Sequence, residues 1–195
     1  TEIGVLMTDK ITFYHGTPVG GLKVLTAKKP ENFDKEKRVY LTSLYPMALI
    51  YGVKNFEYTY GYTKDGEIYF DEYFEGAFEK LYAKKSAYVY VCAPKSVEKG
   101  KIPNEFLCEA DVEIVKEIFV PDLLKALEEE QVKGTIKLYR YKDLSDKRLA
   151  WIEKTFLDII TRNNLLSQDT PYARYIKENY PIIWQKAQNT QKSGL

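Results

Sequence analysis

The chain has 195 residues, of which 45% are hydrophobic and 29% are charged, as in globular proteins of one domain or one domain with a helical extension. Lysine and arginine number 29 and the acidic residues 28, so the formal charge of +1 does not favour a polyanionic partner. No basic stretch precedes an apolar segment at the start, and no apolar run reaches about 18 residues, so we expect neither a signal peptide nor a membrane partner.

The first half of the chain alternates short predicted strands with turns. In order, its elements are a strand at 10–14 leading into His15, a short helix or strand at 22–25, a loop at 28–37, a strand at 39–41 and a helix from 45 that Gly52 ends. Aromatic and polar residues then alternate over 56–62 and 67–73, on either side of Asp65-Gly66. That pattern predicts a β-hairpin, because Asp-Gly suits a tight turn.

The second half changes from strands to helices. In order, its predicted elements are a helix at 74–82, strands at 87–92, 105–107 and 112–120, a helix at 122–131 and a strand at 135–141. From Ser145, a natural N-cap, apolar residues recur at helical spacing at Leu149, Ile152, Phe156, Ile159 and Ile160, and the first four are expected to share a buried face. A second helix at 171–188 is either kinked or restarted at Pro181. We therefore predict an α+β body over residues 1–143 and a helical C-terminal extension over residues 144–195.

The two cysteines, Cys92 and Cys108, do not have the spacing of metal ligands, and the single histidine does not complete a zinc site with them. The number and spacing of the cysteines favour two buried free thiols in a protein of a reducing compartment. We therefore expect a cytoplasmic protein without a metal.

Four short segments carry the residues most suggestive of chemistry. They are Phe13-Tyr14-His15-Gly16-Thr17, Val39-Tyr40-Leu41-Thr42-Ser43, Tyr51, and Asn104-Glu105-Phe106-Leu107. Together they resemble the His-Tyr-Glu signature of the ADP-ribosyltransferase superfamily, the branch of the poly-ADP-ribose polymerases and diphtheria toxin. The resemblance covers about residues 11–120 and implies a split mixed β-sheet body. It further implies a compact microbial or viral effector in the cytoplasm of the producing or of a target cell.

The resemblance implies that NAD is the substrate and that nicotinamide is released. Breaking the bond between nicotinamide and ribose leaves an oxocarbenium-like sugar, which a nearby carboxylate stabilises. The implied catalytic residues are Glu105, His15 and Tyr40, with Glu105 bonding the 2″-hydroxyl of the nicotinamide ribose. A rival carboxylate, Glu109, lies four residues on, but this spacing differs from the Glu-x-Glu of the arginine-serine-glutamate branch.

The resemblance also implies a set of NAD contacts. His15 would bond the adenosine ribose, the Gly16 backbone would grip the carboxamide, and Tyr40 and Tyr51 would line and stack against the nicotinamide ring. Thr17 and Ser43 complete the candidate cofactor-binding residues, which are His15, Gly16, Thr17, Tyr40, Ser43 and Tyr51. In the polymerase branch, a serine three residues before the second tyrosine bonds the carboxamide. This chain has Ala48 at that position and so departs from the branch.

Several functions remain open at this point. The first is mono-ADP-ribosylation of a protein side chain, a nucleic acid or a small molecule. A tRNA 2′-phosphotransferase-like enzyme would need basic residues near His15, for which the sequence offers Lys23, Lys28 and Lys29. A non-catalytic NAD- or ADP-ribose-binding module would explain Ala48. A tyrosine-rich interaction protein, whose sheet or C-terminal helices bind a partner, would explain the 17 tyrosines without any enzymatic activity.

Overall fold

A computed structural model of the chain describes residues 11–27 and 37–193. This part is mixed α+β, as predicted, with a large antiparallel sheet and helices that include the C-terminal ones. Its strands are β1 (Phe13–Thr17), β2 (Val24–Leu25), β3 (Val39–Thr42), β4 (Tyr60–Tyr62), β5 (Ile68–Asp71), β6 (Ala87–Ala93), β7 (Glu98–Lys99), β8 (Glu105–Cys108), β9 (Val112–Val120) and β10 (Lys137–Tyr139). Its α-helices are α1 (Tyr45–Ile50), α2 (Ala77–Leu81), α3 (Leu123–Val132), α4 (Asp146–Arg162), α5 (Pro171–Asn179) and α6 (Pro181–Ser193).

The chain divides into two compact units, each built from two separate segments. The first unit takes Thr1–Tyr58 and Leu81–Thr135, and the second takes Thr59–Lys80 and Ile136–Leu195. This division differs from the predicted boundary after residue 143. The reason is a parallel pairing of β5 with β10, which joins the predicted hairpin to the strand that precedes the C-terminal helices.

The first unit is built on a seven-stranded sheet in the order β2-β9-β6-β1-β3-β8-β7. All of its strand pairs are antiparallel. A core of alternating apolar residues lies against it, including the two predicted buried free thiols, Cys92 and Cys108. His15 lies in the middle of β1 rather than after a strand, because β1 pairs with β6 through Thr17.

Helix ends in the first unit follow local capping chemistry. Pro46 occupies the first turn of α1, where a missing backbone N–H costs no hydrogen bond. The carboxylate of Asp122 accepts hydrogen bonds from the backbone N–H groups of Leu124 and Lys125, and so caps α3. Both helices were predicted, within one or two residues of these bounds.

The second unit confirms the predicted hairpin and helices in outline. β4 pairs with β5 across a turn in which Gly66 has a φ of +81°, and β10 completes a three-stranded sheet. Ser145 caps α4, and the chain restarts at Pro181 as a separate helix, α6. The buried residues of α4 are Ile152, Phe156 and Ile160. The predicted Leu149 and Ile159 are half-buried, because the buried stripe follows a spacing of four residues.

None of the helices in residues 11–27 and 37–193 combines the length and the apolar character that a bilayer crossing requires.

Candidate functional site

The neighbouring strands β1, β3 and β8 bring distant parts of the first unit together. Tyr14 of β1 lies opposite Thr42 of β3, and Thr42 lies opposite Glu105 of β8. His15, Tyr40 and Glu105 therefore sit on three adjacent strands, although 90 residues separate the first from the last.

A cavity of about 330 Å³, here called the first cavity, opens among these strands and α1. Five of the predicted site residues line it: His15, Gly16, Tyr40, Tyr51 and Glu105. The other lining residues are Tyr14, Leu41, Thr42, Met47, Ala48 and Ile102. The cavity thus has aromatic and apolar walls, with a carboxylate and an imidazole as its main polar groups.

The imidazole of His15 is oriented by the backbone of the next strand. Its Nδ1 lies 2.9 Å from the carbonyl oxygen of Tyr40. A carbonyl oxygen can accept but not donate a hydrogen bond, so Nδ1 carries the proton in this contact. In the neutral ring, Nε2 is then the acceptor, a state suited to a hydroxyl group.

Tyr40 and Tyr51 supply the aromatic walls from β3 and from the end of α1. Tyr40 is 38% exposed, and Tyr51 packs against Tyr58 with ring centroids 4.6 Å apart and an interplanar angle of 42°. Packing on Tyr58 restricts the orientation of the Tyr51 ring. Two partly exposed aromatic rings around a cavity favour a flat ligand.

Gly16 lets α1 approach β1 closely. A Cβ at this position would overlap the carbonyl oxygen of Ala48 and come within 2.7 Å of its carbonyl carbon. Ala48 itself is buried, with 1% exposure. The glycine is therefore required by helix packing, a reason that the sequence pattern did not indicate.

The carboxylate of Glu105 is held at the start of β8. Its Oε1 accepts a hydrogen bond of 3.1 Å from the backbone N–H of Lys101. Within the described residues, no hydrogen bond reaches Oε2, which is thus available to a ligand. Glu109 differs, since its side chain is 70% exposed, lies 3.4 Å from Arg38 in an ion pair, and does not line the first cavity.

Thr17 and Ser43 lie outside the first cavity. The Ser43 hydroxyl donates a 3.0 Å hydrogen bond to the side-chain oxygen of Asn104, and its N–H donates to the Asn104 carbonyl oxygen at 3.1 Å. Ser43 therefore anchors the segment that precedes Glu105. Thr17 lines a second cavity of about 640 Å³, which shares His15 and Tyr40 with the first.

The second cavity contains two basic residues that sequence reasoning missed, Arg38 and Lys54. Arg38 also bonds Glu98 at 2.9 Å. Its position two residues before Tyr40 was a usable signal, because alternate residues of a strand share a face. Of the basic residues considered from the sequence, Lys23 does not line either cavity, and Lys28 and Lys29 lie outside the described residues.

No protein-family model matches the chain, and no curated protein matches it either. Across residues 11–27 and 37–193, no group of three or more histidine, cysteine, aspartate and glutamate side chains is arranged to hold a metal ion.

Proposed function

We propose that the chain is an NAD-dependent ADP-ribosyltransferase of the His-Tyr-Glu branch, which mono-ADP-ribosylates an acceptor and releases nicotinamide. The observation that carries the proposal is the convergence of His15, Gly16, Tyr40, Tyr51 and Glu105 on one cavity. The sequence selected these residues by resemblance alone, over a span of about half the chain. As part of the same proposal, we assign the first unit to the fold of that superfamily.

The first cavity suits the nicotinamide riboside end of NAD. In this proposal a flat pyridine ring would lie against Tyr40 and Tyr51, which both line the cavity, and the sugar would lie towards Glu105. The Oε2 atom of Glu105 can accept a hydrogen bond from the 2″-hydroxyl, which places negative charge beside the developing cation. Both the aromatic walls and the single held carboxylate support this orientation.

The second cavity suits the adenosine diphosphate end. It adjoins the first at His15 and Tyr40, so a bent dinucleotide can occupy both. Arg38 and Lys54 lie along it, and basic side chains are suited to a diphosphate. A ribose hydroxyl can donate to Nε2 of His15, whose Nδ1 already bonds Tyr40.

The reaction then balances without a metal or a redox partner. The bond between the ribose C1″ and the pyridinium nitrogen breaks, and its electron pair leaves on nicotinamide, which becomes neutral. A lone pair of the acceptor forms the new bond to C1″. The acceptor's proton passes to the Glu105 carboxylate and from there to solvent.

One observation favours a second candidate, a non-catalytic module that binds NAD or ADP-ribose. Ala48 offers no hydroxyl to the first cavity at the position where the branch uses a serine to bond the carboxamide. A weaker grip on nicotinamide would reduce turnover and leave binding at the second cavity intact. A tRNA 2′-phosphotransferase-like activity has less support, because Lys23 does not line either cavity.

Release of labelled nicotinamide from NAD⁺ tests the proposal. We predict that the wild-type protein releases nicotinamide and that Glu105→Gln lowers the rate by about 10²–10³-fold, the usual cost of removing electrostatic transition-state stabilisation. Glu109→Gln is the matched control and is expected to retain activity, since Glu109 is 70% exposed and outside the cavity. A chain that binds NAD⁺ without releasing nicotinamide would be the binding module. A chain that neither binds nor cleaves NAD⁺ would contradict the proposal.

A further inference from the structure

The loop that joins β7 to β8 holds the Glu105 carboxylate. Lys99 pairs with Phe106, so residues 100–104 form a hairpin loop that ends at Glu105. The N–H of Gly100 donates to the Glu105 carbonyl oxygen at 2.8 Å, and the N–H of Glu105 donates to Ile102 at 3.2 Å. These bonds fix the loop backbone around the residue that carries the carboxylate.

Gly100 is not required by its backbone conformation. The described glycines with positive φ are Gly21, Gly66, Gly76 and Gly134, and Gly100 is not among them. An alanine could therefore adopt its backbone angles without strain. Another reason must account for the missing side chain.

The space beside Gly100 is filled by Glu105. A Cβ built on Gly100 would overlap Oε1 of Glu105 and lie 2.5 Å from its Cγ and 2.6 Å from its Cδ. The three nearest atoms thus all belong to that one side chain. The glutamate is flexible at its far end, so an alanine would displace the carboxylate and leave the backbone in place.

We propose that Gly100 is a positioning residue for the Glu105 carboxylate: its bare Cα leaves the space in which Oε1 lies against the N–H of Lys101. Because Oε1 is held in this way, Oε2 faces the ligand in one orientation. The loop is itself anchored to the residue that follows β3, since Asn104, with a φ of 60°, accepts hydrogen bonds from both the hydroxyl and the N–H of Ser43. The inference rests on the proposed function for its kinetic consequence, but not for its geometry.

The kinetic test compares Gly100→Ala with Gly61→Ala. The control glycine is also crowded, because its Cβ would overlap the hydroxyl of Tyr69 and lie 2.5 Å from the ring carbon that bears it, yet it belongs to the second unit. We expect Gly100→Ala to lower kcat for nicotinamide release by about 10²-fold, as misplacement of a reacting group by about 1 Å can do. The KM for NAD⁺ should stay within about twofold, since a transition-state interaction is the one lost. Gly61→Ala should retain wild-type kcat and KM.

A measurement without turnover separates this inference from the proposed function. In the wild-type protein, the amide proton resonance of Lys101 should shift when Glu105 is protonated, and Glu105→Gln should remove that response. Gly100→Ala should remove it as well, whether or not the protein cleaves NAD⁺. If wild-type protein releases no nicotinamide, the proposed function fails while this measurement still decides the role of Gly100.

Two results would overturn the inference. One is a Gly100→Ala protein with wild-type kcat in an active enzyme. The other is a Lys101 amide proton resonance that does not shift when Glu105 is protonated in the wild-type protein. That measurement does not require a folded Gly100→Ala variant. A double-mutant cycle with Glu105→Ala gives a further check, because alanine lacks the three atoms that the new methyl group would meet and should make the two substitutions non-additive.

Discussion

At the scale of single residues, the clearest feature is that backbone groups orient both polar side chains of the first cavity. The carbonyl oxygen of Tyr40 fixes the tautomer of His15, and the N–H of Lys101 fixes one oxygen of Glu105. Neither contact needs another side chain as its partner, so only a neighbour whose new side chain enters the same space, as at Gly100, should displace either group. The two groups should nevertheless respond differently to substitution, because in the proposed function they would face different parts of a dinucleotide.

We predict that His15→Ala weakens NAD⁺ binding more than it slows the chemical step. His15 lines both cavities and would contact a ribose remote from the breaking bond, so it contributes to ground-state and transition-state binding alike. The expected result is a KM for NAD⁺ raised by about tenfold, the equivalent of about 1.4 kcal/mol, with kcat nearly unchanged. Steady-state kinetics of nicotinamide release at saturating NAD⁺ measures this. A rate that saturation does not restore would give His15 a chemical role instead.

We also predict that neither thiol reacts in the folded protein at pH 8. Burial raises the pKa of Cys92 to about 12 and raises that of Cys108 above its ordinary value. The thiolate, which is the reactive form, is therefore scarce in the folded state. A chromogenic disulfide reagent should titrate almost no thiol in the native protein and two after denaturation. If one thiol reacts at once in the native protein, the result would contradict the burial of the strand that carries it, β6 for Cys92 or β8 for Cys108.

At the scale of elements, the last residue of β5 forms a buried charge pair within the second unit. The Asp71 side chain is 3% exposed and accepts a 2.9 Å hydrogen bond from Nε of Arg148 on α4. Its Oδ1 has no hydrogen-bond partner among the described residues. Burial raises the pKa of Asp71, and the hydrogen bond and charge of Arg148 oppose that rise. The pair therefore couples a strand to a helix through one charged contact.

We predict that Arg148→Ala lowers the free energy of unfolding by about 3–5 kcal/mol at pH 7.5, because it leaves a buried carboxylate unpaired. With Arg148 gone, the pKa of Asp71 rises further. A folded-state pKa above the unfolded value stabilises the protein at low pH, and this stabilisation is lost as pH rises through the folded pKa. The deficit should thus be smaller at pH 5, as urea unfolding at both pH values measures.

Arg162→Ala on the same helix is the control for this prediction. Its partner Asp158 lies 3.9 Å away, and both side chains are more than half exposed. Removing an exposed pair of this kind should change stability by about 1 kcal/mol or less. An Arg148→Ala deficit that is the same at pH 5 and pH 7.5 would mean that Asp71 is not the group left unpaired.

Local sequence patterns predicted the helices and strands well, but they predicted poorly which strands pair with one another. The Asp65-Gly66 turn and the restart at Pro181 depend on backbone preferences that a short window contains, and both were anticipated. The parallel pairing of β5 with β10 was not, because it joins segments more than 60 residues apart and leaves no periodic trace. The same limit hid Lys54 from the candidate site, whereas the position of Arg38 two residues before Tyr40 was a local signal that sequence reasoning missed.

At the scale of the whole molecule, the C-terminal helices complete the second unit rather than extend a finished domain. The ring of Phe156 stacks on Tyr180 with centroids 3.9 Å apart and meets Tyr73 edge-on at 6.1 Å, while Phe74 meets Tyr180 at 5.5 Å. Residues 59–80 therefore bury their aromatic side chains against helices that follow them by a long stretch of chain. This packing favours a structural role for the predicted apolar stripe.

We predict that deletion of residues 144–195 gives an insoluble or unfolded protein. The truncated chain would keep Tyr73 and Phe74 without their aromatic partners and Asp71 without Arg148. Exposed aromatic surface of this kind promotes aggregation. Size-exclusion chromatography and circular dichroism of the truncate measure the outcome. A soluble truncate that cleaves NAD⁺ but no longer modifies its acceptor would instead show that the helices position the acceptor.

The interleaving of the two units also sets the order in which a ribosome can complete them. Within the second unit, residues 59–80 emerge first. The rest of that unit emerges only after residues 81–135 have been made. At about 5–20 residues per second, that wait lasts roughly 3–11 seconds. The strands around the first cavity are all synthesised by residue 108, and β9 by residue 120. A nascent chain can therefore form its first cavity while the aromatic residues of an unfinished second unit are still exposed, so we expect the need for chaperones to be greatest in that interval.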